Sequence, residues 1–420
     1  MSNQLMRRRT LFSVAAAAIL LASPVLAQDV TITFWGSYGN GGNSTQQDAL
    51  NDTLIPAFEA AHPGIKVKYV DVPYDSLLQK LTTSAAGGEL PDLVRADLGW
   101  VPQFADLGVL VPLSDAMPDF QELADKTYPG VLATNLYKGK YYGLPLDTNT
   151  RVLVTSQEAL DAAGFSAPPA SFDELKAMAE KLKGSGTAVF ADGGLGAWNI
   201  MPWIWSGGGD ITDPGLTKAT GYLDSAQNVA TIQMLVDLYN GGQIPNLIIG
   251  NQGATGTSDG LPSVEYATIF DGPWMAGIWG EQYPDFTPIY APIPAGPGGS
   301  VSVVGGEDIV VTSSSPNQAA ALEFVRFTLS EQFQVEMAKT GQMTVVPAYA
   351  EQQNAIAPFY ATFAEQLKTA KNRLPITSAG KVDGILSAEL TAAFKGEASV
   401  QDALTKAAAQ IDELLAQENA

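Results

Sequence analysis

Cysteine is absent from all 420 residues, and histidine occurs once, as His62. The first absence removes any disulfide framework, any cysteine–zinc site and the thiol by which a lipoprotein is tethered. One histidine without cysteine also leaves none of the usual zinc ligand sets. Basic residues are scarce, with 23 Lys+Arg against 44 Asp+Glu. So acidic a chain is a poor partner for nucleic acid or an anionic membrane surface. No Walker A or G-x-G-x-x-G sequence occurs, so nucleotide phosphates find no glycine cradle. Asp210-x-x-Asp213 lacks the alternating ligands of an EF-hand loop. No cofactor and no metal is expected. Past residue 27 no apolar run approaches the ~20 residues that span a bilayer, so no stable membrane insertion is expected.

What is present begins at the N-terminus. Arg7, Arg8 and Arg9 precede the apolar run 11–21, and Val25-Leu26-Ala27 ends it with residues a signal peptidase accepts. This pattern predicts a signal peptide cleaved after Ala27. Arg8-Arg9-Thr10-Leu11-Phe12 leaves both Sec and twin-arginine export open. Export without an anchoring thiol points to the periplasm. Cleavage takes away three basic residues and no acidic ones, leaving 20 against 44. The 393 residues that remain are too many for one core and enough for about two domains.

Residues 30–35 alternate as a strand does, and a Gly/Asn loop follows. A helix from near Ser44 places Leu50, Leu54, Phe58 and Ala61 on one face, until His62-Pro63-Gly64 stops it before a strand over 65–72. Leu77, Leu78 and Leu81 mark a second helix, ended by Gly87-Gly88; Leu93-Val94 lies in a short strand. This rhythm predicts an α/β fold with a mainly parallel sheet and helices on both faces. Strands are expected at 141–146 and 152–155, joined by the polar stretch Asp147-Thr148-Asn149-Thr150. Ser171 with Glu174 reads as a capping box. Helices are expected at 157–163, 171–183, 228–239, 316–330 and 398–416, the last with Leu404, Ala408, Ile411 and Leu415 in its apolar stripe. The Pro/Gly-rich stretch 284–299 is the expected chain crossover.

Several segments then fall in a telling order. They are Ile32-Thr33-Phe34-Trp35, His62-Pro63-Gly64-Ile65-Lys66-Val67, Leu90-Pro91-Asp92-Leu93-Val94 and Leu107-Gly108-Val109-Leu110. Further on come Tyr137 to Pro145, Asp271-Gly272-Pro273-Trp274, Gly305-Gly306 and Gly341 to Pro347. In this order, behind a signal peptide, the chain resembles the extracellular solute-binding proteins of ABC importers, in their maltose-binding-protein-like, sugar-binding group. The resemblance spans nearly the whole mature chain. It implies a two-lobed periplasmic-binding-protein fold of type II, each lobe a mainly parallel sheet flanked by helices. It implies an N-lobe from 28–146 and 289–330 and a C-lobe from 147–288 and 331–420. Hinge crossings are expected near 146–150 and 286–292, with a third after the helix at 316–330. A carbohydrate would bind between the lobes, which close on it, and a monomer would deliver it to transmembrane permease subunits.

A sugar ring offers an apolar C–H face and a rim of hydroxyls, so its pocket needs flat aromatics beside planar polar groups. The chain has seven tryptophans. A tryptophan is by default a core residue, and Trp35, Trp203, Trp205 and Trp279 are read so. Trp198 and Trp274 have loop-like flanks, Gly196-Ala197 and Gly272-Pro273, and match family positions where aromatics stack on sugar. Tyr38 and Asn40 follow the first strand, where sheets of this class expose ligand-binding ends. By the resemblance, Asp97 lies in a hydroxyl-binding segment, Asp147 and Asn149 face the cleft from the hinge, and Glu307 follows the Gly305-Gly306 loop near the ligand. Arg373 lies in a further contact segment, and Asp271 adds a fourth anion. No tryptophan follows Arg373, and the family's tryptophan near Asp97 is replaced by Ala96. Both departures argue against maltodextrin itself.

The same residues allow other readings. Gly256-Thr257-Ser258-Asp259-Gly260 matches the G-x-S-x-G nucleophile elbow, but polar, glycine-rich residues precede it where a strand is required, and His62 lies on the wrong side in chain order. A polysaccharide-degrading enzyme stays open, because paired carboxylates leave no spacing signature. So does a polyamine-binding protein of the same fold, through Asp97, Asp147, Asp271 and Glu307. Tyr141-Tyr142 keeps a ferric-iron carrier in view.

Overall fold

The computed structural model describes residues 29–39, 44–250, 257 and 259–418. The signal-peptide segment, Asn40, and Gly256 and Ser258 of the G-x-S-x-G stretch lie outside the described residues. Among the described residues eleven strands run β1 (Val30–Gly36), β2 (Ile65–Asp71), β3 (Leu93–Asp97), β4 (Leu136–Tyr137), β5 (Lys140–Tyr141), β6 (Gly143–Thr150), β7 (Val152–Thr155), β8 (Ala188–Ala191), β9 (Tyr266–Asp271), β10 (Ile289–Ala291) and β11 (Val304–Val311). They build a five-stranded sheet in the order β2-β1-β3-β11-β6, a four-stranded sheet in the order β10-β7-β9-β8, and the β4-β5 hairpin.

Each large sheet is covered on both faces. Ile32, Phe34, Leu144 and Phe324 share one cluster of the five-stranded sheet, and Val94, Phe104 and Val310 belong to the other. The four-stranded sheet has Leu153, Phe190 and Trp203 on one side and Val154, Ile269 and Trp279 on the other. Two sheets, each with its own double-sided core, make two lobes. Among the described residues, no helix is long and apolar enough to cross a membrane.

The local signals act as expected where the chain is self-sufficient. Leu50, Leu54 and Phe58 are fully buried on one face of the helix 45–61. Its middle, Ala49–Leu54, widens into a π-helical turn just before Pro56, which cannot donate a backbone bond. Gly88 closes the helix Tyr74–Gly87 at φ 73°, a left-handed cap that glycine adopts without strain. Ser171 Oγ accepts from Glu174 N at 3.2 Å, while Glu174 reaches one residue further back than a capping box, to Ala170 N at 2.7 Å. Val400, Leu404, Ala408, Ile411 and Leu415 bury one stripe of the last helix, Val400–Glu418.

Three expectations are corrected. The sheets are mixed: β1 pairs in parallel with β2 and β3, but β11 runs antiparallel to β3 and β6. The lobe crossings impose this. β6 carries the chain towards the second lobe, whereas β11 brings it back and must run the other way. For the same reason β7, leaving the hinge, is antiparallel to β9. The polar stretch 147–150 is not a connector but the end of β6, which breaks only at Arg151.

The crossings also fall later than expected. The Pro/Gly-rich stretch does not cross: β10, inside it, pairs with β7. The return comes at Ser302 to Val304, where the chain enters β11. The helices Gln318–Thr328 and Glu331–Ala338 both stay with the first lobe, through Phe324, Phe333 and Met337. Ser330 caps the second of them, so the break between them is a turn inside one lobe. Met343 already touches the core that holds Tyr360 and Phe363, but Val345, Val346 and Tyr349 still pack on the first lobe, and the chain moves across after them.

Candidate functional site

Parallel strands in both lobes end at the gap between them. β1 runs into Ser37 and Tyr38, β3 ends in Asp97, β8 leads to Asp192 and β9 ends in Asp271. Carboxyl ends of strands are where α/β sheets expose their binding groups. A cavity of about 470 Å³ lies there, with walls from both lobes.

Its aromatic side is built by Trp198 and Trp274, half-buried, with ring centroids 6.3 Å apart and planes at 35°. Trp198 stands in the first turn of the helix Ala197–Ser206, whose start is held by Asp383 Oδ1 accepting from Ala197 N at 2.6 Å. The flank that looked like loop is thus a helix N-terminus. Two glycines seat the rings. A Cβ on Gly305 would come within 2.6 Å of Trp198 Cη2 and 2.2 Å of Asn149 Oδ1, and one on Gly272 within 1.9 Å of Trp274 Cζ3. Gly305→Ala is therefore expected to cost about 1–3 kcal/mol, as lost affinity if Trp198 gives way and as lost stability if it does not. Calorimetric titration and thermal unfolding of the variant, both unchanged, would refute this seating.

On the first lobe three carboxylates stand on neighbouring rungs. Glu307 on β11 lies opposite Asp97 on β3 and Asp147 on β6. Like charges directly opposite repel, and Arg95, on the same face of β3, answers them. Its guanidinium is 2.8 Å from Glu307 and 3.4 Å from Asp147, donates to Ser37 Oγ at 3.0 Å and lies over the Tyr38 ring. Burial pushes the Glu307 carboxyl well above the ordinary range; Arg95 opposes this and Asp147 reinforces it.

On the second lobe Arg151, the residue between β6 and β7, plays the matching part. Its Nη2 donates to both oxygens of Asp192 at 2.9 Å and to the Phe270 carbonyl, and Nη1 donates to the Trp198 carbonyl at 3.2 Å. Asp271 is 5 % exposed and its carboxyl is pushed up to about 7, chiefly by burial, with Arg151 opposing.

Asp97 ties the two lobes together. It accepts from Tyr74 at 2.7 Å, from Gly99 N at 2.8 Å and from Arg373 Nη2 at 2.6 Å. Arg373 belongs to a segment pinned at the hinge, where Val304 N donates to Lys371 O and Lys371 N to Ser302 O, each at 2.9 Å. Thr45 Oγ1 also donates to Glu281 across the gap at 3.1 Å.

The family model of bacterial extracellular solute-binding proteins matches residues 41–335. The chain belongs to that family. Among relatives, this solute-binding protein is 27 % identical over 380 residues to a putative binding protein of Brucella abortus, covering 86 % of this chain and 88 % of the other. It is 25 % identical over 411 residues to a probable ABC transporter-binding protein of Deinococcus radiodurans, covering 91 % and 92 %. A solved structure, the cyclic alpha-maltosyl-1,6-maltose binding protein of Arthrobacter globiformis, superposes with a TM-score of 0.75 at 26 % identity, over 93 % of this chain and all of that one.

Of the residues read from sequence, Trp198, Trp274, Tyr38, Asp97, Asn149, Asp271, Glu307 and Arg373 line the cavity of this solute-binding protein. Asn40 lies outside the described residues. Asp147 is not on the wall; it sits behind it, 3.4 Å from Arg95. Trp203 and Trp279 are fully buried core, and Trp205, also buried, donates its Nε1 to Asp210 at 2.8 Å. Tyr141 packs on Phe120, and neither it nor Tyr142 lines the cavity.

Sequence reasoning missed Trp100, Tyr74, Arg95, Arg151 and Asp192, all on the wall. Ala96 is indeed buried within β3, but Trp100 restores an aromatic three residues after Asp97, with the Tyr74 ring 5.6 Å from it. Its signal was present, a tryptophan just beyond a strand end. The arginines had none, since only their partners' positions mark them.

Proposed function

We propose that this chain is the substrate-binding component of an ABC importer and that its ligand is an oligosaccharide or glycoside, held between the lobes. One observation carries the reading. Two tryptophan faces, 6.3 Å apart, share a cavity with carboxylates, amides and guanidiniums from both lobes. That combination answers a sugar's C–H face and its hydroxyl rim together. The ligand stacks on Trp198 and Trp274, its hydroxyls bond to Asn149, Asp271 and Glu307, and the Asp97–Arg373 pair forms as the lobes close. Permease subunits read the closed form. The protein works as a monomer in the periplasm after cleavage behind Ala27. It returns its sugar unchanged: the wall carboxylates Asp97, Asp192 and Glu307 are engaged by arginines, which suits recognition better than proton transfer.

Ligand stripped by unfolding and refolding, the mature protein should respond to one group of sugars in a thermal-shift panel that also holds polyamines and ferric iron. At 100 times its dissociation constant a ligand stabilises the native state by about 2.7 kcal/mol. Recovery of a cleaved sugar would instead make the protein an enzyme. Trp198→Ala and Trp274→Ala should each weaken binding by about 1–3 kcal/mol, read by calorimetric titration. Unaltered affinity in both variants would remove these residues from the site.

A further inference from the structure

We propose that the cleft selects by charge and takes a sugar carrying a basic nitrogen, such as an amino sugar, with its ammonium against Asp271 and its ring on Trp274. This rests on the sugar reading above and narrows it to a chemical class.

The cations of the wall are all committed. Arg151 holds Asp192, Arg373 holds Asp97, and Arg95 serves both Glu307 and Asp147. Asp271 and Asp383 also line the cavity, and among the described residues neither has a cation within 4.0 Å. With Arg95 shared between two carboxyl groups, the carboxyl groups in and behind the wall outnumber its arginines.

Asp271 is the sharper of the two. Its Oδ1 accepts from Gly272 N at 2.8 Å, whereas among the described residues Oδ2 has only Thr257 Oγ1 at a long 3.5 Å. On the same wall Gln342, 4 % exposed, keeps an Oε1 without a partner among the described residues. Both are acceptors in need of donors. Trp274, three residues on, folds its ring over Gly272, so platform and carboxylate are adjacent. A neutral sugar could supply hydroxyl donors and leave the charge unbalanced. A uronate or a sugar phosphate would add to it. An ammonium supplies donors and compensates charge together, and it is also welcome at a tryptophan face.

The test is calorimetric titration at pH 7 of refolded, ligand-free protein against matched pairs: glucose and glucosamine, cellobiose and the glucosamine disaccharide, maltose and 6-amino-6-deoxymaltose. Glucuronate and spermidine complete the set. In the pairs that bind, the amino member should be about tenfold tighter or more, as hydrogen bonds to charged groups are. High salt should narrow the gap, and Asp271→Asn, with its fold checked by thermal midpoint, should bring the ratio near one. Neutral members binding as tightly as their amino partners would overturn the charge selection and leave the sugar reading standing. So would a ratio unchanged in Asp271→Asn. Spermidine binding with no response to any sugar would overturn the sugar reading itself, and this proposal with it.

Discussion

Replacing Arg151 by methionine is expected to cost about 3–5 kcal/mol of folding stability, the loss typical when one partner of a buried ion pair is removed. The side chains of Arg151 and Asp192 are each only 4 % exposed. Removal of the guanidinium leaves Asp192 as a buried carboxylate without its cation, and frees the Phe270 and Trp198 carbonyls as well. Arg151 is also the one residue between β6 and β7, so the same bonds hold the first lobe crossing in place. Urea unfolding is the measurement: the midpoint should fall with little change in slope. The double variant Arg151→Met with Asp192→Asn should recover part of the loss, because no unpaired charge remains. A single variant within about 1 kcal/mol of the parent would mean that the pair does not hold the hinge.

The second large effect has the opposite sign. Asp271→Asn should stabilise the protein at pH 8 and do so much less at pH 4. The Asp271 carboxyl is pushed up to about 7 by burial, with Asp192 adding to the push, while Arg151, Gly272 N–H and Thr257 oppose it. Tyr266 and Tyr290 also face it. In the unfolded chain an aspartate titrates near 3.9. Between roughly pH 4 and 7 the native state therefore binds the proton that the unfolded chain has released, so stability falls as pH rises through that window and levels off above it. Three pH units at 1.36 kcal/mol each bound the penalty at about 4 kcal/mol. Asparagine carries no charge to desolvate, so its advantage should grow from pH 4 to pH 8. Melting curves of the two proteins that run parallel across this range would show that Asp271 is not the strained group. The penalty fits a residue retained for what it binds, since a binding site often keeps groups that the fold alone would discard.

Elements that depend on neighbours in sequence were legible. The helix at 45–61, the helix Tyr74–Gly87 with its glycine stop and the stripe of Val400–Glu418 follow from apolar spacing and stop signals, which are short-range properties; the π-helical turn in the first does not. Trp198 and Trp274 were legible as exceptions among seven tryptophans because their flanks are small residues. The crossings were not. A Pro/Gly-rich stretch looks like a linker, but β10 within it finds an edge beside β7, a partner more than a hundred residues away. Strand pairing of that kind is decided by which edges are left unpaired, and a local pattern does not record it.

By itself the sequence determined that the chain is a cysteine-free, acidic α/β protein of the solute-binding family, and it singled out strand ends and two tryptophans as candidate binding elements. Composition and short-range pattern suffice for the fold class, because they reflect local propensity and burial; the family follows from the resemblance of its ordered segments. Tertiary structure alone decided which charges meet. It set Asp97, Glu307 and Asp147 on facing rungs around Arg95, drew Arg373 across the gap to Asp97, bound Arg151 to Asp192, and among the described residues left Asp271 without a cation of its own. The strength of a charge pair depends on distance and on exclusion of water, and both are set only when strands far apart in the chain are packed together.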